Sequence, residues 1–169
     1  LEAVYEQIAS KWGELDFALH AIAYAPKDDL HGRVVDCSAT GFAQAMQVSV
    51  HSFMQMAKLS EPLMKNGGAL MAMSYYGAEK AVAHYNVMGP VKAALEAATR
   101  YMAVELGAQG IRVNALSPGP VATRAASGIE HFDELLARAV KDAPEHRLVT
   151  PDDVGALAAF LASDGAKAD

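Results

Sequence analysis

The stretch Leu70–Glu105, LMAMSYYGAEKAVAHYNVMGPVKAALEAATRYMAVE, decides the fold. With Ala69 before it, the run to Met73 is short and apolar, and it ends in a polar corner, Ser74-Tyr75-Tyr76-Gly77. That pattern reads as a buried strand. A loop carrying Tyr85 follows. Val91, Ala94, Leu95, Ala98 and Met102 then recur at helical spacing until Gly107, which marks a long helix carrying Lys92. A strand end facing a helix that offers a phenol and an ammonium suits proton chemistry, so the functional site is expected here.

Upstream, Val4, Ile8 and Trp12 share one helical face that Gly13 can close. Leu15 to Ile22 reads as a strand, left through Ala23-Tyr24-Ala25-Pro26, and residues 27–35 read as polar loop. Thr40-Gly41 opens a second helix through Phe42, Met46, Phe53 and Met56 to about Met64, stopped by Asn66-Gly67-Gly68. Downstream, Ile111 to Leu116 is a third strand running into the rigid turn Ser117-Pro118-Gly119-Pro120. Phe132, Leu135, Leu136 and Ala139 mark a short helix before Pro144. The last helix has Thr150 as N-cap, Pro151 at its first position, and Asp152 and Asp153 behind it.

Strands alternating with helices imply a parallel α/β sheet with right-handed crossovers. Ligands in such sheets bind outside the carboxyl ends of the strands. Those ends, Ile22-Ala23-Tyr24, Ser74-Tyr75-Tyr76 and Ser117-Pro118-Gly119-Pro120, are expected side by side in a single domain spanning 1–169. Tyr85 and Lys92 are seven residues apart, about 10.5 Å of rise on one helix. They converge only if Tyr85 lies before or at the first turn, and Asn86 and Gly89-Pro90 suit an irregular start. Spacing alone leaves two readings open: a converging pair, or a buried tyrosine and a surface lysine on an ordinary helix. In the first reading the ammonium is expected to lower the pKa of the phenol.

Composition narrows the classes. Of 169 residues, 52% are hydrophobic, so the chain is globular rather than disordered. The net charge is -6 with both signs interspersed, which argues against a nucleic-acid surface. Cys37 is the only cysteine, so no intramolecular disulfide forms and a reducing cytoplasm fits best. Beside Asp36 its thiolate is disfavoured, and it reads as unreactive. No apolar run reaches the roughly 18–20 residues of a membrane span, and no signal peptide is expected. No histidine pairs with a carboxylate or cysteine at metal-like spacing, so no metal is expected.

Tyr75, followed by Tyr85-Asn86-Val87-Met88-Gly89-Pro90-Val91-Lys92, resembles the signature of the bacterial-type enoyl-acyl-carrier-protein reductases, a branch of the short-chain dehydrogenase/reductase superfamily. His20 to Pro26, Met56-Ala57-Lys58, Arg112 to Pro120 and Ala125 to Ile129 resemble that family too. Ketone-reducing members carry the lysine four residues after the tyrosine, where this chain has Gly89. The resemblance implies a Rossmann-like fold and NADH- or NADPH-dependent reduction of 2-enoyl thioesters on acyl carrier protein. It implies that Tyr85 bonds the thioester carbonyl, that Lys92 holds the nicotinamide ribose, and that Tyr75 stands beside the substrate. Ile22 would lie against cofactor and Ala25 against substrate. The backbone of Pro120, Val121, Ala122, Thr123, Arg124 and Ala125 would hold the carboxamide and pyrophosphate, with Thr123 adding its hydroxyl. Residues 125–143 would form a lid, and the full-length protein would be a homotetramer.

The chain also departs from the family. It has no G-x-G-x-x-G turn for a pyrophosphate, and Ala23 stands where some relatives have glycine. Three of about seven strands are therefore expected, with half a cofactor site and little cofactor binding by this segment alone. Alternatives from other classes are a ketone or alcohol dehydrogenase of the same superfamily, disfavoured by Gly89, and an inactive fragment or oligomerisation module.

Overall fold

The computed structural model describes residues 1–121 and 131–167. A helix α1 at Glu2–Lys11 leads through Gly13, at φ +76°, to strand β1 at Phe17–His20. Strand β2 spans Gly68–Met73 and strand β3 spans Ile111–Leu116. The described strands form one parallel sheet in the order β1-β2-β3, with Phe17 paired to Ala69 and His20 to Ala72, and with Gly68 paired to Ile111 and Met73 to Leu116. This is the Rossmann-like α/β arrangement that the alternating pattern predicts.

Strand β2 is central, and Ala69 to Ala72 are buried without the alternation of a half-exposed strand. A continuous apolar run is what a strand covered on both faces needs. Leu70 and Ala72, with Ile111 and Val113 of β3, share one core with helix α5 at Met88–Gly107 through Val91 and Leu95. Arg112 lies on the opposite face. Its guanidinium donates to Leu161 O at 2.6 Å and Ser163 O at 3.1 Å, pinning the end of the last helix, α7 at Pro151–Ala162. The Thr150 hydroxyl accepts from Asp153 N and completes a capping box, as the N-terminal signal predicts. Gly67 carries the turn into β2 at φ +78°, where an added Cβ would stand 2.5 Å from Gly110 O. Only glycine suits both the conformation and the close approach.

Three expectations change. The strand expected over Leu15 to Ile22 is four residues long, because β1 pairs only with β2 over the four positions from Phe17 to His20; Ile22 to Tyr24 instead line the cavity described below. Residues 27–35 are not all loop: Lys27–His31 form a short helix α2 after Pro26, and Val34–Asp36 a 3-10 turn. Asp28 and Asp29 in the first turn of α2 suit its positive end. The second long helix starts one step earlier than Thr40-Gly41, where the Ser38 hydroxyl accepts from Gly41 N. It runs as α3 at Ala39–Met46 and α4 at Ser52–Ser60, joined by a π-helical turn at Gln47–His51 that the periodicity conceals.

Candidate active site

The carboxyl ends of the three strands surround a cavity of about 470 Å³. Ile22, Ala25, Tyr75, Tyr85, Lys92, Pro120 and Val121 all line it. Ala122, Thr123, Arg124 and Ala125 lie outside the described residues. So does the front of the segment expected to form the lid. Its rear is helix α6 at Phe132–Asp142, whose Phe132 and Leu135 border the same cavity. Tyr76, on the polar corner, is exposed and not among the lining residues.

Tyr85 precedes α5 by three residues. The backbone reaches it through His84 at φ +63° and leaves through Asn86 at φ +47°, and the Asn86 side-chain amide donates to Leu30 O at 2.7 Å. This irregular entry is what brings Tyr85 to the cavity that Lys92 also borders, although Lys92 stands a turn inside the helix. Lys92 is 6% exposed, which excludes the surface lysine on an ordinary helix. Its ammonium donates to Met73 O at 2.5 Å, at the end of β2. Burial depresses its pKa to about 8, partly countered by Glu96 one turn later. Glu96 accepts a 2.5 Å hydrogen bond from the Ser74 hydroxyl. The four-residue spacing of Lys92 and Glu96 is the signal by which Glu96 could have been singled out.

The Tyr85 phenol corrects one expectation. Its pKa is raised, not lowered, first by burial and then by Tyr75. The Lys92 charge does not offset the loss of solvent, so the phenol keeps its proton at neutral pH. The rings of Tyr75 and Tyr85 meet edge to face at 4.7 Å between centroids. Tyr75 also has a raised pKa from burial. The site therefore holds two neutral O–H groups beside one ammonium.

Gly77 makes the room for Tyr85. An added Cβ would stand 2.8 Å from Tyr85 Cε1 and closer still to Cδ1. Gly77→Ala is expected to push the phenol out of place, lowering turnover about 10²-fold at a stability cost of about 1–3 kcal/mol. Steady-state kinetics beside thermal melts would show it, and wild-type turnover would contradict this placement of the ring. At Gly89 a Cβ would come 3.2 Å from Gly77 O, so the position that carries lysine in ketone reductases is crowded by backbone.

The cavity wall at residues 21–25 is held from behind by the π-helical turn. The Ser49 hydroxyl accepts from Tyr24 N at 3.0 Å and donates to Tyr24 O at 3.2 Å. One residue inserted into a helix re-aims the side chains around it, and here it turns Ser49 toward the Tyr24 backbone. Sequence reasoning missed this role of Ser49 because a run of helical residues gives no sign of one inserted position. Cys37 sits away from the cavity with its thiol pKa raised by burial and by Asp29, not by its neighbour Asp36. Among the described residues no cluster of three or more His, Cys, Asp or Glu is placed to hold a metal ion, and no helix is long and apolar enough to cross a membrane.

Residues 1–168 match the profile of the family described as Enoyl-(Acyl carrier protein) reductase. The chain is 49% identical over 164 residues to the NADH enoyl-acyl-carrier-protein reductase 1 of Rhizobium meliloti, covering 97% of this chain and 60% of that protein. Among solved structures it resembles the reductase of Anaplasma phagocytophilum in complex with NAD, with a TM-score of 0.92 and 50% identity over 96% of this chain and 62% of that one. It also resembles the NADH reductase of Aquifex aeolicus, with a TM-score of 0.94 and 45% identity, covering 98% of this chain and 65% of that one. The chain thus spans about three fifths of the length of the curated relative.

Proposed function

Because the chain belongs to the enoyl-(acyl carrier protein) reductase family, we propose that its cavity carries the reacting end of a reductase of 2-enoyl thioesters on acyl carrier protein. The observation that supports this most is the joint placement of the Tyr85 phenol, the Lys92 ammonium and the Pro118-Gly119-Pro120 turn around one apolar cavity at the strand ends. A nicotinamide cofactor fits the residues present. The Lys92 ammonium has three hydrogens to give, and among the described residues it meets one acceptor, Met73 O. Two remain for ribose hydroxyls. Ile22 and Val121 offer apolar surface, with the backbone of Pro120 beside them, and the backbone of Ala122 to Ala125 with the Thr123 hydroxyl completes that side by family resemblance. The Gly-rich turn for a pyrophosphate is not in this sequence.

NADH, when bound, supplies the hydride for the β-carbon. The chain's own residues do the rest. Tyr85, neutral through burial, donates a hydrogen bond to the thioester carbonyl oxygen as charge gathers there. An O–H donor in a water-poor pocket stabilises that charge better than solvent does. Lys92 orients the cofactor ribose and adds a positive field beside the oxygen. Tyr75 packs against the Tyr85 ring and fixes its direction. Ala25 and Leu135 border the space for the acyl chain, under a lid formed by residues 125–143.

The cytoplasm and a homotetrameric assembly complete the reading. One cysteine and no helical span among the described residues suit the first. Tyr101 and Val104, 73% and 83% exposed on the outer face of α5, offer apolar surface for a second copy. A fluorescence titration with NADH tests the cofactor assignment on this chain and on one extended at its amino end. Saturable binding by the extended form, weak or absent in the short one, is the expected result. No binding by either would remove the proposal.

A further inference from the structure

The peptide between Met73 and Ser74, at the end of β2, is held from three directions. It is trans, so its N–H and C=O point opposite ways. The Ser74 N–H donates to Leu116 O at 2.7 Å, at the end of β3. The Met73 carbonyl lies one residue past the last pair of β1 and β2, His20 with Ala72. Lys92 donates to it at 2.5 Å, where a further strand amide would otherwise stand. The third hold is the Ser74 side chain. Its hydroxyl donates to Glu96 Oε1 at 2.5 Å, a length that suits an O–H bonded to a charged oxygen.

A carboxylate only accepts, so the single hydroxyl hydrogen of Ser74 is spent on Glu96. Ser74 borders the cavity and is buried, yet it keeps no hydrogen for a substrate oxygen. Its bond ties the strand to helix α5 instead. Lys92 and Glu96 stand four residues apart on that helix, on one face. The helix therefore grips the strand end twice, with an ammonium at the Met73 carbonyl and a carboxylate at the Ser74 hydroxyl. One bond would leave the peptide free to turn. Two from the same rigid helix set its distance and its rotation together. The two remaining hydrogens of the ammonium point where that first acceptor lets them, so a carbonyl that turns carries the ammonium away from the ribose hydroxyls.

We propose that Glu96 is a positioning residue of the site: by holding the Ser74 hydroxyl it fixes the Met73 carbonyl, and through that carbonyl the direction of the Lys92 ammonium. The proposal deepens the reductase reading and rests on it for the ligand, not for the bonds. The negative charge of Glu96 also favours the charged form of Lys92 against burial, so the test separates reach from charge.

Glu96→Gln keeps the reach and an oxygen for Ser74 but loses the charge. Glu96→Asp keeps the charge and is one methylene short. Both are compared with wild type and with Ser74→Ala in the amino-extended chain. The pH is 6, below the value of about 8 to which burial brings Lys92, so the ammonium is charged throughout. NADH is expected to bind about 5- to 10-fold more weakly to Glu96→Asp and to Ser74→Ala, and Glu96→Gln to recover affinity to within about twofold of wild type. Combining Ser74→Ala with Glu96→Asp is expected to add less than about twofold, since both remove the same bond. Exchange of the Lys92 ammonium hydrogens with water, followed by nitrogen NMR without cofactor, is expected severalfold faster in Glu96→Asp and Ser74→Ala than in wild type and Glu96→Gln. The reverse order, with Glu96→Gln the weaker binder, overturns the proposal by making charge the agent. Wild-type affinity in Glu96→Asp and Ser74→Ala beside a lowered Tm overturns it too, as the mark of a bond that serves stability alone, and so do additive losses in the combined variant. Should Ser74→Ala not fold, the two substitutions at the half-buried Glu96 carry the test. An extended wild-type chain that binds no NADH would end the cofactor reading alone. The ammonium exchange then decides the role of Glu96: faster in Glu96→Asp supports it, and unchanged overturns it.

Discussion

Tyr85→Phe is expected to lower turnover about 10²- to 10³-fold, the cost of removing one donor from a developing oxyanion, while NADH affinity changes by less than about twofold. The variant isolates the hydroxyl because the rest of the ring is held by packing. Gly77 leaves it room, Tyr75 meets it edge to face, and it is 7% exposed. None of those contacts needs the oxygen. The raised pKa makes the expectation sharper, since a phenol that keeps its proton well above neutral pH acts as a donor throughout the assay range. Stopped-flow and steady-state measurements on an amino-extended chain with an enoyl thioester would decide it. Unchanged kcat would remove Tyr85 from the chemistry.

Lys92→Met is expected to weaken NADH binding about 10- to 100-fold, the worth of one or two charge-assisted hydrogen bonds to ribose, and at the same time to stabilise the cofactor-free chain. The second effect follows from burial. Lys92 titrates near 8 in the folded protein and near 10.5 when unfolded. Between those values the unfolded chain binds more protons, so the stability of the native protein rises with pH through that window. Below pH 8 the whole penalty applies, up to about 3 kcal/mol at about 1.36 kcal/mol per pKa unit. Methionine fills the same space without the charge and gives up about 1 kcal/mol of hydrogen bonding to Met73 O. The net gain at pH 7 is about 2 kcal/mol, or a Tm higher by roughly 4–8 °C for a chain of this size. The advantage should shrink as the pH approaches 10. Tyr85, whose folded pKa is raised, works in the opposite sense above pH 10, where only the unfolded phenol ionises and stability falls. Melting curves at pH 7 and pH 9.5 test the linkage. A Lys92→Met chain that is less stable at pH 7 would mean that the ammonium is better solvated than its burial implies.

Lys92→Met is expected to pull function and stability apart at one residue. A lysine that lowers the stability of the cofactor-free fold and is needed for ligand binding belongs to a site rather than to a core. Gly77 is the complementary case, a position where stability and geometry are expected to suffer together.

Much of this protein was legible in its residues alone. The apolar run at Ala69–Met73 reads as a buried strand, that at Ile111–Leu116 as a further strand of a parallel sheet, and Thr150-Pro151 starts a helix by local hydrogen bonding that needs no distant partner. Periodicity and caps report interactions within a few residues, and those elements are made by such interactions. Tertiary structure decided what depends on distant groups. The sign of the Tyr85 pKa shift came from burial beneath several elements. The short reach of β1 came from the positions at which β2 could pair with it. The inserted turn at Gln47–His51 aims Ser49 and Ser52 at residues 24 and 20, on the far side of the chain's own loop. Desolvation and register depend on what packs across the sheet, and no local pattern in the sequence encodes that.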